Sequence, residues 1–179
     1  MRIIGGAWRS RLVNFAPRQD LRPTPDRVRE TLFNWLGQDL TGKTCLDLFA
    51  GSGALGFEAA SRGARRVVMV EQDLATFRAL AASRAALDAA AVVLKRADAL
   101  EFLRDGGSVF DIVFLDPPFK ADYWPRLVPL LPRHLAPGAL VYHEGAARPV
   151  LPPGWAVHRE DRAGQVTYQL LKWAEGAPP

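Results

Sequence analysis

Residues 44–60 join an apolar run to a glycine turn and then to a helix-forming segment, and this junction limits the chain to few architectures. Thr44-Cys45-Leu46-Asp47-Leu48 reads as a buried strand. Phe49-Ala50-Gly51-Ser52-Gly53 turns the chain, and Ala54-Leu55-Gly56-Phe57-Glu58-Ala59-Ala60 reads as a helix. The first N–H groups of such a helix have no partner within it. A turn poor in Cβ atoms lets a ligand reach the backbone. Gly51-x-Gly53-x-x-Gly56 fits the dinucleotide-binding fingerprint, a pattern that a tight turn with no ligand also satisfies.

Two acids narrow the choice. Asp47 ends the strand beside the glycine loop. Glu71 ends the next apolar run, Val67-Val68-Met69-Val70, at a distance suited to a pair of ribose hydroxyls. Nicotinamide and adenosyl cofactors both use such a ribose acid. Asp47 separates them, because a carboxylate beside the loop repels a pyrophosphate and accepts from an ammonium group. A helix-capping or turn role is the plain alternative for Asp47.

From Lys43 onward strand and helix patterns alternate. Strands are expected at about 44–48, 67–71, 92–95 and 110–115, and helices at about 54–62, 73–88 and 98–105. That rhythm calls for an α/β fold with a parallel sheet and helices on its faces. A proline-broken, partly helical segment spans 122–135, and residues 139–142 form another strand. Residues 155–159 and 165–170 flank a turn at Ala163-Gly164, so a closing hairpin should place an antiparallel strand at the sheet edge. Ahead of this core, residues 2–4 and 11–15 read as short strands of an N-terminal β-hairpin around Gly5-Gly6. Asp26 is placed to cap a helix whose apolar face is Val28, Leu32, Trp35 and Leu36, with Arg27, Arg29 and Glu30 largely off it and Gly37 ending it.

The strand at 110–115 ends in Asp116-Pro117-Pro118-Phe119. Neither proline has an N–H, and the residue before each is held extended. A stiff loop follows, at the strand edge where open α/β sheets bind ligands. It offers the Asp116 carboxylate, the Pro117 carbonyl and the Phe119 ring. Two converging acceptors suit an amino group with two hydrogens. The exocyclic amine of a base is a poor nucleophile because its lone pair is delocalised into the ring. Hydrogen bonds to Asp116 and Pro117 would turn that nitrogen tetrahedral while the ring stacks on Phe119. A proline-rich turn with a capping Asp is the alternative.

The net charge is +4, and its excess lies at the N-terminus: residues 1–29 hold Arg2, Arg9, Arg11, Arg18, Arg22, Arg27 and Arg29 against Asp20 and Asp26. Such an acid-poor segment suits an anionic partner or a solvated basic arm. Trp8 between glycines and arginines suits phosphates and exposed bases. Cys45 is the only cysteine, and His134, His143 and His158 lack metal-ligand spacing. They read as surface or core residues. With no membrane-length apolar run and no secretory-type start, a cytoplasmic protein that uses no metal is expected.

With these residues placed, the chain resembles the RsmD family of bacterial methyltransferases, which modify guanine N2 in 16S ribosomal RNA. The resemblance covers Arg2-Ile3-Ile4-Gly5-Gly6, residues 22–30, Leu46 to Gly53, Ser61-Arg62-Gly63-Ala64 and Leu115 to Phe119. The glycine and Asp-Pro-Pro motifs are shared by many methyltransferases, whereas the N-terminal pieces are much more specific to this family. The chain departs from the family at Ala82-Ser83-Arg84, where an Asn is usual. The resemblance implies a Rossmann-like S-adenosylmethionine-dependent methyltransferase fold, with seven mostly parallel strands and the last antiparallel. It implies that Asp47, Phe49, Ala50, Gly51 and Gly53 hold the methionine part of S-adenosylmethionine, Glu71 the ribose, and Asp98 with Ala99 the adenine amine. A helix N-cap explains Asp98 equally well.

Asp116, Pro117 and Phe119 would form the catalytic corner. Trp8, Arg9, Arg11, Arg18 and Arg22 would grip RNA while the target base turns out into the pocket. The expected organisation is one methyltransferase domain over 1–179, with a basic arm (1–25), a core (26–173) and a flexible tail (174–179). The expected partner is 16S ribosomal RNA in a small-subunit particle with ribosomal proteins. An adenine-N6 methyltransferase, a nicotinamide oxidoreductase and a non-catalytic RNA-binding assembly factor remain alternatives.

Overall fold

Short runs of Val, Ile, Leu and Phe build the centre of the molecule. The computed structural model describes residues 1–15, 24–118 and 122–174. Arg18, Arg22, Phe119 and nearly all of the expected tail lie outside them. β1 (Thr44–Asp47), β2 (Arg66–Val70), β3 (Val92–Lys95), β4 (Phe110–Leu115) and β5 (Leu135–Gly145) pair in parallel. β6 (Trp155–Ala163) and β7 (Val166–Trp173) follow. Among the described residues the sheet has seven strands in the order β3-β2-β1-β4-β5-β7-β6. β7, the last strand in the chain, runs antiparallel to both neighbours.

The reversed strand is not at the sheet edge, where the sequence pattern put it. β7 inserts between β5 and β6, and β6 forms the edge. Side-chain burial explains the order. Tyr168, Gln169, Leu170 and Leu171 of β7 are buried, whereas β6 after Trp155 is mostly exposed. An inner strand needs cover on both faces, and an edge strand tolerates charge.

Helices α1 (Asp26–Leu36), α2 (Ala54–Ser61), α3 (Leu74–Leu87), α4 (Ala99–Asp105) and α5 (Trp124–Leu127) cover the two faces, with a 3-10 turn at Pro132–His134. Strand period sorts the core. Ile112 and Phe114 of β4 join Leu32, Phe33, Phe57 and Tyr142 in one layer. Val113 and Leu115 join Leu103, Trp124 and Leu131 in the other.

The start of α1 differs from the sequence expectation in two ways. Pro25 occupies the N-cap position and Asp26 is the first helical residue, its carboxylate 2.5 Å from Arg29 Nη2. Arg29 is not off the apolar face. It is fully buried. Its guanidinium is satisfied by Glu58 Oε2 at 3.3 Å, the Arg2 carbonyl at 2.9 Å and the Thr24 carbonyl at 3.2 Å. A charge tolerates such burial only with this degree of pairing.

Glu58 of α2, also fully buried, is the centre of that arrangement. Its carboxylate accepts from the Ile4 N–H at 3.0 Å, the Gly5 N–H at 2.8 Å and Arg62 Nη2 at 2.8 Å. The N-terminal hairpin is therefore pinned to α2. It is shorter than expected, with one antiparallel bridge between Arg2 and Leu12 flanked by Ile3 N–H to Arg11 and Val13 N–H to Met1 carbonyl bonds. Gly6 has φ +74°, and a Cβ there would stand 1.9 Å from the Ser61 carbonyl oxygen. The arm approaches α2 too closely for any side chain at that position.

Replacing Glu58 by Ala strands two buried guanidiniums and two amides. The expected loss is about 3 kcal/mol of unfolding free energy, read as a lower urea midpoint at unchanged m-value. An unshifted midpoint would show that the hub is not a support of the fold.

Candidate active site

The two chemistry-bearing loops leave neighbouring strands at the same edge. β1 and β4 are parallel and adjacent, with Asp47 opposite Phe114. Asp116, two residues beyond Phe114, therefore emerges on the side of the sheet that Asp47 faces. On the other flank of β4, Leu115 pairs with His143 of β5, so Glu144 stands beside Asp116. Asp47, Asp116 and Glu144 form a row across three strand ends.

Asp47 is buried, and its Oδ2 accepts from the Gly56 N–H at 3.0 Å in the first turn of α2. Burial is the main force pushing its carboxyl up to about 7; the Gly56 bond opposes this and the nearby Glu71 charge adds to it. Glu71 Oε2 accepts from the Gly51 N–H at 3.0 Å, and Oε1 accepts from the Asp73 N–H at 2.8 Å. Those bonds fix the carboxylate between the glycine loop and the end of β2, with lone pairs left over for further donors.

The glycines divide by task. Gly51 has φ +49° and Gly53 φ +79°, conformations that favour glycine. A Cβ at Gly53 would lie 2.5 Å from the Phe57 ring, and one at Gly56 would lie 2.8 Å from Met69. Gly53 and Gly56 are thus required by packing inside the protein. Phe49 is half-buried with its ring 5.0 Å from that of Tyr123, and Ala50 is buried with its N–H on the Val70 carbonyl.

Asp98 caps α4, its Oδ1 accepting from the Leu100 N–H at 2.8 Å and the Glu101 N–H at 3.2 Å. The capping alternative describes the bonds it makes. Ala99 is buried beside it.

Asp116 is half-buried, and Oδ2 accepts from the Thr24 hydroxyl at 3.4 Å. Burial, then the Glu144 charge, then Asp47, holds its carboxyl well above the usual range. Glu144 is buried, and burial raises it as well, opposed by the Tyr142 hydroxyl, which donates to Oε2 at 2.7 Å. A cavity of about 560 Å³ adjoins these acids through Glu144 and through Pro117, the residue after Asp116; Pro118, Tyr123, Trp124 and His143 are among its other walls. That volume is of ligand size.

The basic arm is less available than its composition suggests. Arg9 is exposed and lines a second hollow of about 520 Å³ with Gly6, Asn34, Gln38 and Arg62. Arg11 is exposed but donates to the Ala86 carbonyl at 2.5 Å. Trp8 is half-buried and packs on the core, and Arg29 is wholly consumed by Glu58 and its neighbours. Of the histidines, His134 lies in the core against the Ser108 and Leu103 carbonyls, and His158 is exposed. His143 is buried edge-on to Trp124, and burial pushes it down to about 4. Buried Cys45 is pushed up to about 12, mainly by burial. Thr24, Glu144 and Tyr142 were not singled out from sequence. An acid ending an apolar strand, as Asp47 and Asp116 do, was the available signal for Glu144.

Asp47, Asp116 and Glu144 each hold a proton more tightly in the folded chain than in the unfolded one. Their stabilising contribution is full below about pH 4. It is lost as pH rises, for Asp47 through about 7. The ligand-free protein should melt at progressively lower temperature between pH 5 and 8, and Asp47→Asn should flatten that slope. A scanning calorimetry series that rises over this window would contradict the charge arrangement.

The comparisons with known proteins agree with one another. The family model described as conserved hypothetical protein 95 matches residues 1–172. Ribosomal RNA small subunit methyltransferase D of Escherichia coli is 44% identical over 177 residues, spanning 96% of this chain and 89% of that protein. The Haemophilus influenzae protein of the same name is 40% identical over 181 residues, covering 96% and 93%. The solved structure of the candidate methyltransferase yhhF from Escherichia coli superposes with a TM-score of 0.88 at 44% identity, over 97% of this chain and 98% of that one. The chain belongs to the conserved hypothetical protein 95 family, the RsmD family that its motifs resemble.

Proposed function

We propose that this chain is an S-adenosylmethionine-dependent methyltransferase acting on the exocyclic N2 amine of a guanine in 16S ribosomal RNA, in the cytoplasm and within a small-subunit particle. The observation that carries this reading is the row of acids at one strand edge, with Asp47 and Glu71 framing the glycine loop and Asp116 next to them. The names of the E. coli and H. influenzae relatives support the ribosomal RNA substrate.

The donor set fits the cofactor. Asp47 offers a buried carboxylate for an ammonium group. Glu71, oriented by two backbone N–H groups, offers acceptors for a diol. Asp98 and Ala99 at the head of α4 are assigned to the adenine. The same acids argue against a nicotinamide dinucleotide, whose pyrophosphate would meet the Asp47 charge beside the loop. When bound, S-adenosylmethionine supplies a methyl group on a cationic sulfur that leaves as a neutral thioether.

The chain's own task is to place and deprotonate the nucleophile. Asp116 and the Pro117 carbonyl accept from the two N2 hydrogens, which draws the lone pair out of the ring. The nitrogen then forms its bond to the methyl carbon, and Asp116 takes up the proton released. A carboxyl held above its usual range suits that last step. Thr24 orients Asp116 from the arm side. Phe119 is assigned to stacking on the base. Trp8, Arg9, Arg11, Arg18 and Arg22 are assigned to RNA, which makes residues 1–25 a substrate-gripping arm on a catalytic core of 26–173. Glu58 supports that division, because it clamps the arm to the cofactor-side helix.

Asp116→Ala is expected to lower turnover at least 100-fold, the scale of a lost general base, while S-adenosylmethionine affinity by calorimetry is retained. Turnover at the wild-type rate would overturn the mechanism. Mass mapping of methyl groups on 16S ribosomal RNA, from cells with and without the protein, tests the substrate. A methyl group missing from an adenine instead of a guanine would favour the adenine-N6 alternative. Arg9→Gln should weaken RNA binding and reduce the slope of log affinity against log salt by about 1; an unaltered slope would remove Arg9 from the interface.

A further inference from the structure

Two carboxylates with unused acceptors stand side by side where the base is proposed to enter. Among the described residues, Asp116 receives only the long Thr24 bond, on Oδ2. Glu144 receives the Tyr142 hydroxyl on Oε2, and no described residue donates to Oε1. Strand register puts the two acids next to each other on the same face, and Glu144 shares a cavity wall with Pro117. No Lys, Arg or His is paired with either acid among the described residues. The Glu144 charge raises the cost of ionising Asp116, and burial raises it for both, so the site is stabilised by a ligand that brings N–H groups and no acceptor to this wall.

We infer that Glu144 reads the base, its carboxylate accepting from the N1–H of guanine while the neighbouring Asp116 accepts from N2. The inference rests on the proposed function and deepens it by naming a specificity-determining residue. Guanine presents N1–H and the N2 amine on one edge, a run of donors that matches two adjacent carboxylates. Adenine presents an unprotonated N1 next to its amine. That lone pair would face the Glu144 carboxylate, and the buried acid would lose its partner. Discrimination by an unpaired buried acceptor is strong, because the wrong base leaves a polar group unsatisfied. Tyr142 has a defined part. Its hydroxyl holds Oε2, which leaves Oε1 as the oxygen for the base.

The test is a base-analogue swap combined with Glu144→Gln. Tyr142 would then hold the amide oxygen and leave the NH2 group pointing at the base. Small-subunit particles are assembled on 16S ribosomal RNA carrying either guanine or 2-aminopurine at the position found by mass mapping. 2-Aminopurine keeps the N2 amine and has an unprotonated N1. The wild-type enzyme is expected to methylate guanine and to be at least tenfold slower on 2-aminopurine, the scale of one buried polar mismatch. Glu144→Gln should lose activity on guanine and raise the 2-aminopurine to guanine ratio of kcat/KM at least tenfold. A ratio is independent of how much of the variant is folded. An unchanged ratio overturns the assignment of Glu144 and leaves the methyltransferase reading intact. Wild-type enzyme inactive on guanine particles would overturn the guanine-N2 reading itself, and the assignment with it.

Discussion

A single buried carboxylate, that of Glu58, ties the parts of this molecule together. An acid with no exposed surface is sustained only by a full set of donors, and Glu58 draws them from three places. The Ile4 and Gly5 amides come from the arm, Arg29 from α1 and Arg62 from the end of α2. Satisfying the charge therefore positions the arm and the first helix on the helix that follows the glycine loop. Arg29 continues the path, because its Nε donates to the Thr24 carbonyl and the Thr24 hydroxyl donates to Asp116. One run of polar contacts links the cofactor-side helix to the base-side corner through the arm. In the proposed reading, the segment that grips RNA and the acid that meets the base are held by the same buried charge.

The strand edge carries the opposite kind of electrostatics. Glu58 is neutralised within the fold, whereas Asp47, Asp116 and Glu144 meet no cation among the described residues, and burial holds each above its usual range. A folded chain keeps such groups only where function compensates for the cost. In the proposed reading, an ammonium group and a donor-rich base edge are the species that relieve it. Complementarity here resides in charges that the protein leaves unmatched, while the apolar layers beneath keep the loops fixed relative to one another.

Much of the fold was readable because its determinants are local. The strands at 92–95 and 110–115 match their expected limits, and the helices near 54–61, 74–87 and 99–105 fall within a residue or so. Apolar periodicity and a glycine or acid at each strand end mark them. Most of the misplacements trace to contacts distant in sequence. Arg29 looks solvated because Glu58, 29 residues away, is invisible in the local pattern. Asp26 looks like a cap because its ion pair with Arg29 depends on that same burial. The place of β7 inside the sheet depends on which hairpin strand finds cover on both faces. Glu144 lies beyond the apolar run that marks the strand at 139–142, and pairing with β7 is what carries β5 to Gly145.

The glycine motif shows how a correct expectation can rest on the wrong cause. Read alone, it signals backbone opened to a ligand. In the fold, Gly53 is required by the Phe57 ring and by Leu80 of α3, and Gly56 by Met69 of β2, so close packing around the start of α2 explains two of the three glycines. Of the three glycines, Gly51 is the one whose N–H meets the Glu71 carboxylate. The motif therefore reports a tightly seated helix, a condition that every cofactor of this fold class shares. Choice among cofactors falls to Asp47, whose carboxylate sits in the helix's first turn, where a dinucleotide-binding protein would place a phosphate. In the proposed reading, an acid in the phosphate's position excludes the phosphate and admits a cation, and that one exchange separates methyl transfer from hydride transfer on a common scaffold.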